Sequence, residues 1–262
     1  MTEAPMQRRG DSADKEFMAT LAKGLKVLGS FGRQRPTMTL SEAAEVAELS
    51  RATARRVLRT LTQLGYVERD GRTFSLSPQI LELGFAYLST QSWIDRALPL
   101  MRELSERLGE SCSAAILQGN DIVYVARVPA RRIMSAALSV GSRLPALHTA
   151  LGRILFGYLD EAELWRRLKL QRIEAYTPQT ITDLQALVDR VRADHEQKFS
   201  IVDEELERGL RAIAVPVLDR SGQAVGAINL STHSTRTTRN EMRAQFLPEL
   251  NRISQQVSSI TV

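Results

Sequence analysis

A helical step of about 100° per residue sorts the segment SRATARRVLRTLTQLGYVERDG, residues 50 to 71, into two faces. With Ser50 as N-cap, Ala54, Val57, Leu58, Leu61 and Leu64 form an apolar stripe, while Ala52, Arg55, Arg56, Arg59 and Gln63 lie opposite. No Asp or Glu occurs between Arg51 and Leu64, so the usual i,i+4 pairing of an exposed charged helix is missing and the arginines await an anion. Upstream, TMTLSEAAEVAEL places Glu42 three residues after Thr39, a capping box that opens a short Ala/Val/Leu helix. Upstream again, FMATLAKGLKVLGSFG spaces Leu21, Leu25, Leu28 and Phe31 for a third helix that completes a small core. Downstream, two strands, Tyr66 to Glu68 and Thr73 to Leu76, meet around Asp70-Gly71, a hairpin signal. Three helices and a hairpin predict a winged helix-turn-helix, whose second helix of the pair enters the DNA major groove.

Beyond it the pattern changes. SPQILELGFAYLSTQ starts at Ser77 with Pro78 at the first helical position, and Ile80, Leu81, Leu83, Phe85, Tyr87 and Leu88 crowd most of its circumference. It reads as a linker helix packed on a second subunit, the alternative being a core helix of its own domain. SWIDRALPLMRELSERLGE is helical, with a kink or break expected at Pro99. CSAAILQGNDIVYVARV is a hairpin around Gly119-Asn120-Asp121, followed by a strand near Met134 to Val140. TALGRILFGYL and TDLQALVDRVRADHEQKF are helices, the second from a Thr182 cap. LRAIAVPVLDRSGQAVGAINLST is a second hairpin turning at Arg220-Ser221-Gly222, and RNEMRAQFLPELNRISQQVSSI closes the chain as a helix. Strand pairs separated by helices predict an antiparallel sheet covered by helices, α+β overall. The expected organisation is a disordered arm over 1–16, a DNA-binding domain over 17–76, a linker helix over 77–91 and a second domain over 92–262.

Charge separates the two halves. The chain carries +5. Residues 1 to 72 hold 13 Lys and Arg against 9 Asp and Glu, leaving 22 against 21 for the rest. A basic head on a nearly neutral body is the layout of a DNA-binding module joined to a domain with another task. The 262 residues, 43% hydrophobic and 25% charged, suit a two-domain globular protein. No stretch approaches the ~20 apolar residues of a membrane span, and the polar start MTEAPMQRRGDSADKE lacks a signal-peptide apolar region, so a cytoplasmic protein without membrane association is expected. The single cysteine, Cys112, excludes an internal disulfide and reads as a buried thiol at a strand start rather than a redox sensor.

Several stretches together resemble the IclR family of bacterial transcription regulators: KGLKVLGSF, LSRATARRVLRTLTQLGYVERDG, SLSPQILELG, VGSRLP, TALGR and VDEELERGLRAIAVPVLDRSGQAVGAINLS. The resemblance runs from about residue 17 to the C-terminus. It implies a winged helix, a helical linker and a GAF-like effector-binding domain. More narrowly, AYTPQTITDLQAL and VDEELERGLRAIAVPV resemble the PcaR, PcaU and PobR type that controls the β-ketoadipate pathway of aromatic-acid catabolism. It further implies a homodimer, or a dimer of dimers, on a palindromic operator of double-stranded DNA.

The candidate DNA contacts are Ser50, Arg51, Ala52, Thr53, Arg55, Arg56 and Arg59 on the recognition helix, Thr39 before it, and Arg69 and Arg72 on the wing. The resemblance implies an effector pocket lined by GSRLPALHTALGR, GLRAI and AINLS, giving the candidate set Arg143, His148, Thr149, Ala150, Leu151, Leu210, Arg211, Ala212, Asn229 and Ser231. The chemistry is apt for a small carboxylic acid. His148 and Thr149 can donate near a helix start, Asn229 and Ser231 alternate onto one strand face, and Arg143 or Arg211 can grip a carboxylate bidentately. Set against this, His148 also reads as a structural histidine, and either arginine can pair with the acids of DEELE. The low aromatic content, 5%, favours the aliphatic diacid β-ketoadipate over protocatechuate or 4-hydroxybenzoate. No enzyme is expected, and no metal or cofactor. His148, His195 and His233 stand far apart, there is no phosphate-binding Gly loop or Ser-elbow, and Glu204 to Glu207 read as a solvated turn. An architectural DNA protein whose second domain only dimerises is the remaining class.

Overall fold

The computed structural model describes residues 16–130, 138–171 and 173–258. The expected arm over 1–16 lies outside them but for its last residue, as does the greater part of the strand expected near Met134 to Val140. The chain divides into two compact units, Met1–Tyr87 and Leu88–Val262.

In the first unit, α1 (Ala19–Leu28), α2 (Leu40–Val46) and α3 (Arg51–Gln63) pack with a small sheet of β1 (Thr37–Thr39), β2 (Val67–Asp70) and β3 (Thr73–Leu76), ordered β1-β3-β2. Local chemistry sets the helix starts. The Thr39 hydroxyl accepts from the Glu42 N–H while the Glu42 carboxylate takes the Thr39 N–H at 2.7 Å, a full capping box worth about 1 kcal/mol. Those bonds hold the Glu42 carboxyl below its ordinary pKa, the Thr39 backbone contributing most. Ser50 caps α3 by accepting from the Thr53 N–H at 3.2 Å. Val27, Phe31, Met38, Ala43, Val57, Leu58, Leu61 and Val67 fill the core.

Three expectations need correcting here. Leu21 and Leu25 are exposed rather than core, because α1 turns Val27 inward instead; Leu64 is exposed because it is the C-cap of α3. The wing's first strand runs Val67–Asp70, shifted from Tyr66 to Glu68, since Asp70 still pairs with Thr73 across the turn. Linker helix α4 (Ile80–Ser89) starts two residues after Pro78, with the Ser77 hydroxyl accepting from the Gln79 N–H at 3.2 Å.

In the second unit, a six-stranded antiparallel sheet is ordered β6-β5-β4-β9-β8-β7, from β4 (Ser111–Gln118), β5 (Asp121–Val128), β6 (Arg143–Pro145), β7 (Ser200–Asp203), β8 (Leu210–Leu218) and β9 (Ala224–His233). Both expected hairpins form. One face packs α5 (Ser92–Leu108) and α10 (Leu247–Ser258), burying Trp93, Met101, Leu104, Leu250 and Ile253 on Ile213, Val215 and Ile228. Cys112 is buried there, and desolvation raises its thiol pKa. Helix α5 runs unbroken through Pro99, and α10 follows a short turn, α9 (Arg239–Glu241), through one π-turn.

The other face carries α6 (Ala150–Phe156), α7 (Glu161–Lys169) and α8 (Leu184–Gln197). Small side chains at Ala115, Ala212, Ala214 and Ala227 bring α6 close to the sheet. At Gly152 a Cβ would collide with the backbone and side chain of Ala146, so the glycine of TALGR lets the preceding turn fold against α6. Helix α8 is capped by Asp183, whose carboxylate accepts from the Ala186 N–H at 2.8 Å, one residue after the expected Thr182. Helix α7 and strands β1, β6 and β7 were not expected. The α7 signal, Asp160 three residues before Glu163, is present in the sequence.

Candidate nucleic-acid interface and ligand cavity

On α3, Ala54, Val57, Leu58 and Leu61 are buried, which turns Arg51, Ala52, Arg55, Arg56 and Arg59 outward. Among the described residues none of these four arginines enters an ion pair, unlike Arg143, Arg153, Arg211 and Arg236 of the second unit. The helix therefore presents free cations with rigid backing. Thr39, Ser50 and Thr53 are committed to caps, Ser50 and Thr53 also sharing a side-chain bond at 2.9 Å. On the wing, Arg69 donates to the Gly71 carbonyl at 2.9 Å and lies over the Phe74 ring, while Arg72 is exposed at the turn.

The second unit holds a cavity of about 440 Å³, partly open to solvent, between the sheet, the start of α6 and the loop 206–209. Register explains its floor. Val202, Ala212, Ser231 and Ser111 form one row across β7, β8, β9 and β4, and Asn229, Ser113 and Arg127 the next row across β9, β4 and β5. Of the candidate set, His148, Thr149, Ala150, Leu210, Ala212, Asn229 and Ser231 line the cavity.

Arg143, Leu151 and Arg211 do not line it, which corrects their expected part. Arg143 sits on edge strand β6 and pairs with Asp121 at 3.0 Å while donating to the Gln118 side chain. Arg211 alternates away between two cavity-facing neighbours, forks onto Asp203 at 2.7 and 2.9 Å and donates to the carbonyls of Ser234 and Thr237. Leu151 is fully buried in the α6 core.

The polar groups of the cavity differ in how well they are satisfied. Thr149 caps α6, accepting from the Gly152 N–H and donating to the Ala146 carbonyl, both at 3.0 Å. Asn229, 4% exposed, donates its amide N–H to the Ser231 hydroxyl at 3.0 Å, and its amide oxygen has no partner among the described residues. His148 is 2% exposed with Nδ1 equally unpartnered, which distinguishes it from a satisfied structural histidine. Burial first, then the Arg153 charge, push its pKa below the ordinary 6.5 against an opposing pull from Glu205, so the ring is neutral at neutral pH.

Sequence reasoning missed Tyr124, Arg127 and Arg236 on the walls and the ion pair behind them. An arginine inside the apolar run DIVYVARV was the available signal for Arg127. Arg236 forks onto buried Glu110 at 2.7 and 2.9 Å, and Thr232 donates to the same carboxylate at 2.9 Å. Arg153 is 0% exposed, donates to Glu205 through both terminal nitrogens, and adds two bonds of 3.0 and 3.2 Å to the Leu147 carbonyl. Glu205 is thus buried, and Glu204 turns back to accept from the Gly209 N–H at 2.9 Å, so the expected solvated turn over Glu204 to Glu207 holds only for Glu207. Among the described residues no three His, Cys, Asp or Glu gather to hold a metal, and no helix is long and apolar enough to cross a membrane.

Comparison with known proteins covers both units. The family model described as IclR helix-turn-helix domain matches residues 20–71, and that described as bacterial transcriptional regulator IclR C-terminal matches residues 85–259. The Pca regulon regulatory protein of Pseudomonas putida is 42% identical over 240 residues, covering 91% of this chain and 82% of the relative. The p-hydroxybenzoate hydroxylase transcriptional activator of Acinetobacter baylyi is 32% identical over 256 residues, covering 94% and 93%. A solved structure from Rhodococcus sp. RHA1 superposes with a TM-score of 0.82 at 40% identity, covering 93% of this chain and 98% of that one.

Proposed function

This chain belongs to the IclR family of bacterial transcriptional regulators, and from that premise we propose that its winged helix holds an operator while its cavity senses a small carboxylic acid. It is a ligand-responsive regulator of aromatic catabolism rather than an enzyme, a reading supported by its similarity to a Pca regulon regulatory protein and a p-hydroxybenzoate hydroxylase transcriptional activator. Acting on DNA, it works in the cytoplasm. The observation that carries the sensing role is the cavity itself, of about 440 Å³. That volume lies within the ~300–1,000 Å³ range of small-molecule sites, and the walls keep two buried polar groups, on Asn229 and His148, without partners among the described residues.

The effector is β-ketoadipate or a related acid of the same pathway. A second reading, an aromatic acid such as 4-hydroxybenzoate or protocatechuate, is favoured by the similarity to the p-hydroxybenzoate hydroxylase activator. A thermal-shift panel of the three tests both. A ligand that binds only the folded state stabilises by about 2.7 kcal/mol at one hundred times its Kd, so the effector raises the melting temperature by several degrees and changes operator affinity. A chain that no acid of the panel stabilises is not a sensor of this class.

Operator reading calls for two heads, since helix-turn-helix pairs bind half-sites about 34–36 Å apart. Leu81 and Phe85, each 70% exposed, sit one turn apart on α4, and Phe17, Leu21 and Leu25 are exposed around α1. Leaving such surface in water costs about 1.5–3 kcal/mol per large side chain, and a second copy of the chain covers it in a homodimer. Because α4 and α5 are consecutive, the linker passes a change at the effector to the spacing of the heads. Leu81→Glu with Phe85→Glu yields monomers by light scattering, and gel-shift affinity for a palindromic operator falls about 100-fold with the loss of avidity. A double variant that remains dimeric places the interface elsewhere.

A further inference from the structure

The charges around the cavity are unevenly paired. Arg143, Arg153, Arg211 and Arg236 each hold a carboxylate of the chain. Arg127 is half-buried, lines the cavity from β5, and has neither an ion pair nor a hydrogen bond among the described residues. Arg208 also lines the cavity without a partner among the described residues, but on an exposed loop where water screens it. A half-buried cation beside apolar walls is under-solvated, and a carboxylate meeting its fork gains charge-assisted bonds in a low-dielectric site.

Across the same face, Arg127 pairs with Ser113 and Ser113 pairs with Asn229, so the two functional side chains stand two strand spacings apart, about 10 Å between backbones. Asn229 keeps one amide atom unpartnered whichever way its amide is turned, and Ser231 and Ser111 continue the polar floor. Leu138, Leu144, Val202 and Ala212 supply apolar wall around the same cavity.

We propose that Arg127 anchors the effector's carboxylate and that Asn229 receives a second oxygen function, hydroxyl or keto, carried on the same small molecule. The assignment rests on the sensing role argued above and names the residues that set its ligand class. It accounts for why Arg127, half-buried in the cavity wall, has no acid partner among the described residues.

The test uses the full chain and calorimetric titration with 4-hydroxybenzoate, protocatechuate and β-ketoadipate, each beside its uncharged methyl or dimethyl ester. Wild type binds at least one acid more tightly than its ester. Arg127→Gln lowers the affinity for that acid about 10- to 100-fold and for the ester less than about threefold, and Arg127→Lys recovers part of the loss. Without ligand, Arg127→Gln melts no lower than wild type, which a merely structural arginine does not allow. The proposal is overturned if Arg127→Gln keeps acid affinity, if acid and ester affinities fall together, or if none of the three acids binds wild type. If an acid binds through Arg127 but leaves operator affinity unchanged at saturation, the anchor stands and the regulatory reading falls.

Discussion

Replacing Arg55 and Arg59 together with alanine abolishes specific operator binding while the protein stays folded. Both side chains project from the exposed face of α3, and among the described residues neither has an ion-pair partner, so their removal leaves no buried charge behind. Each arginine reaching a guanine edge contributes about 1–3 kcal/mol, so the pair accounts for about 2–6 kcal/mol, or roughly 30-fold to more than 10⁴-fold in affinity. Weak, sequence-independent binding through Arg51, Arg56, Arg69 and Arg72 survives at low salt and falls away steeply as salt rises. A gel-shift series over salt concentration separates the two terms. Undiminished discrimination between operator and random DNA in the double variant would remove α3 from the recognition role.

Arg153→Met destabilises the effector unit by about 3–5 kcal/mol, the cost of stranding a buried carboxylate by removing its partner. Glu205 then loses its ion-pair partner, and the Leu147 carbonyl loses both of its guanidinium bonds. For a unit of this size the change corresponds to a fall in melting temperature on the order of 10 °C. Replacing both partners, Arg153→Met with Glu205→Leu, recovers a large part of the loss, because the desolvation of two charges is avoided together. The pair also ties the 146–148 turn to the loop that follows β7, two segments that bound the cavity from different sides. The single variant therefore loses effector affinity in addition to stability. A melting curve unchanged by Arg153→Met would mean that Glu205 finds water or takes up a proton at little cost.

The winged helix was legible in the sequence, because its determinants are local. A capping box at Thr39 and Glu42, a Ser50 cap, a 3.6-residue stripe and an Asp-Gly turn each act over a few positions, and an exposed arginine face needs only the opposite face to be apolar. Even there, periodicity could not say what an apolar residue covers. Leu21 and Leu25 share the spacing of a core stripe, and packing turned Val27 inward and left them at the surface. In the second unit the two hairpins and most helices followed from alternation and turn residues, yet the cavity did not. Whether an arginine in a strand faces the ligand depends on register against partners distant in the chain: Arg127 and Asn229 share a row only because β4 pairs with both β5 and β9. One residue of offset at Arg211 sends it to Asp203 instead. The buried pair of Arg153 and Glu205 joins residues 52 positions apart, and no local pattern distinguishes a charge that will be desolvated from one that stays in water. Sequence by itself therefore determined most of the elements, the basic head and the family. Tertiary structure decided which charges meet one another and which remain for a ligand, because pairing and desolvation depend on distances that only the folded chain sets.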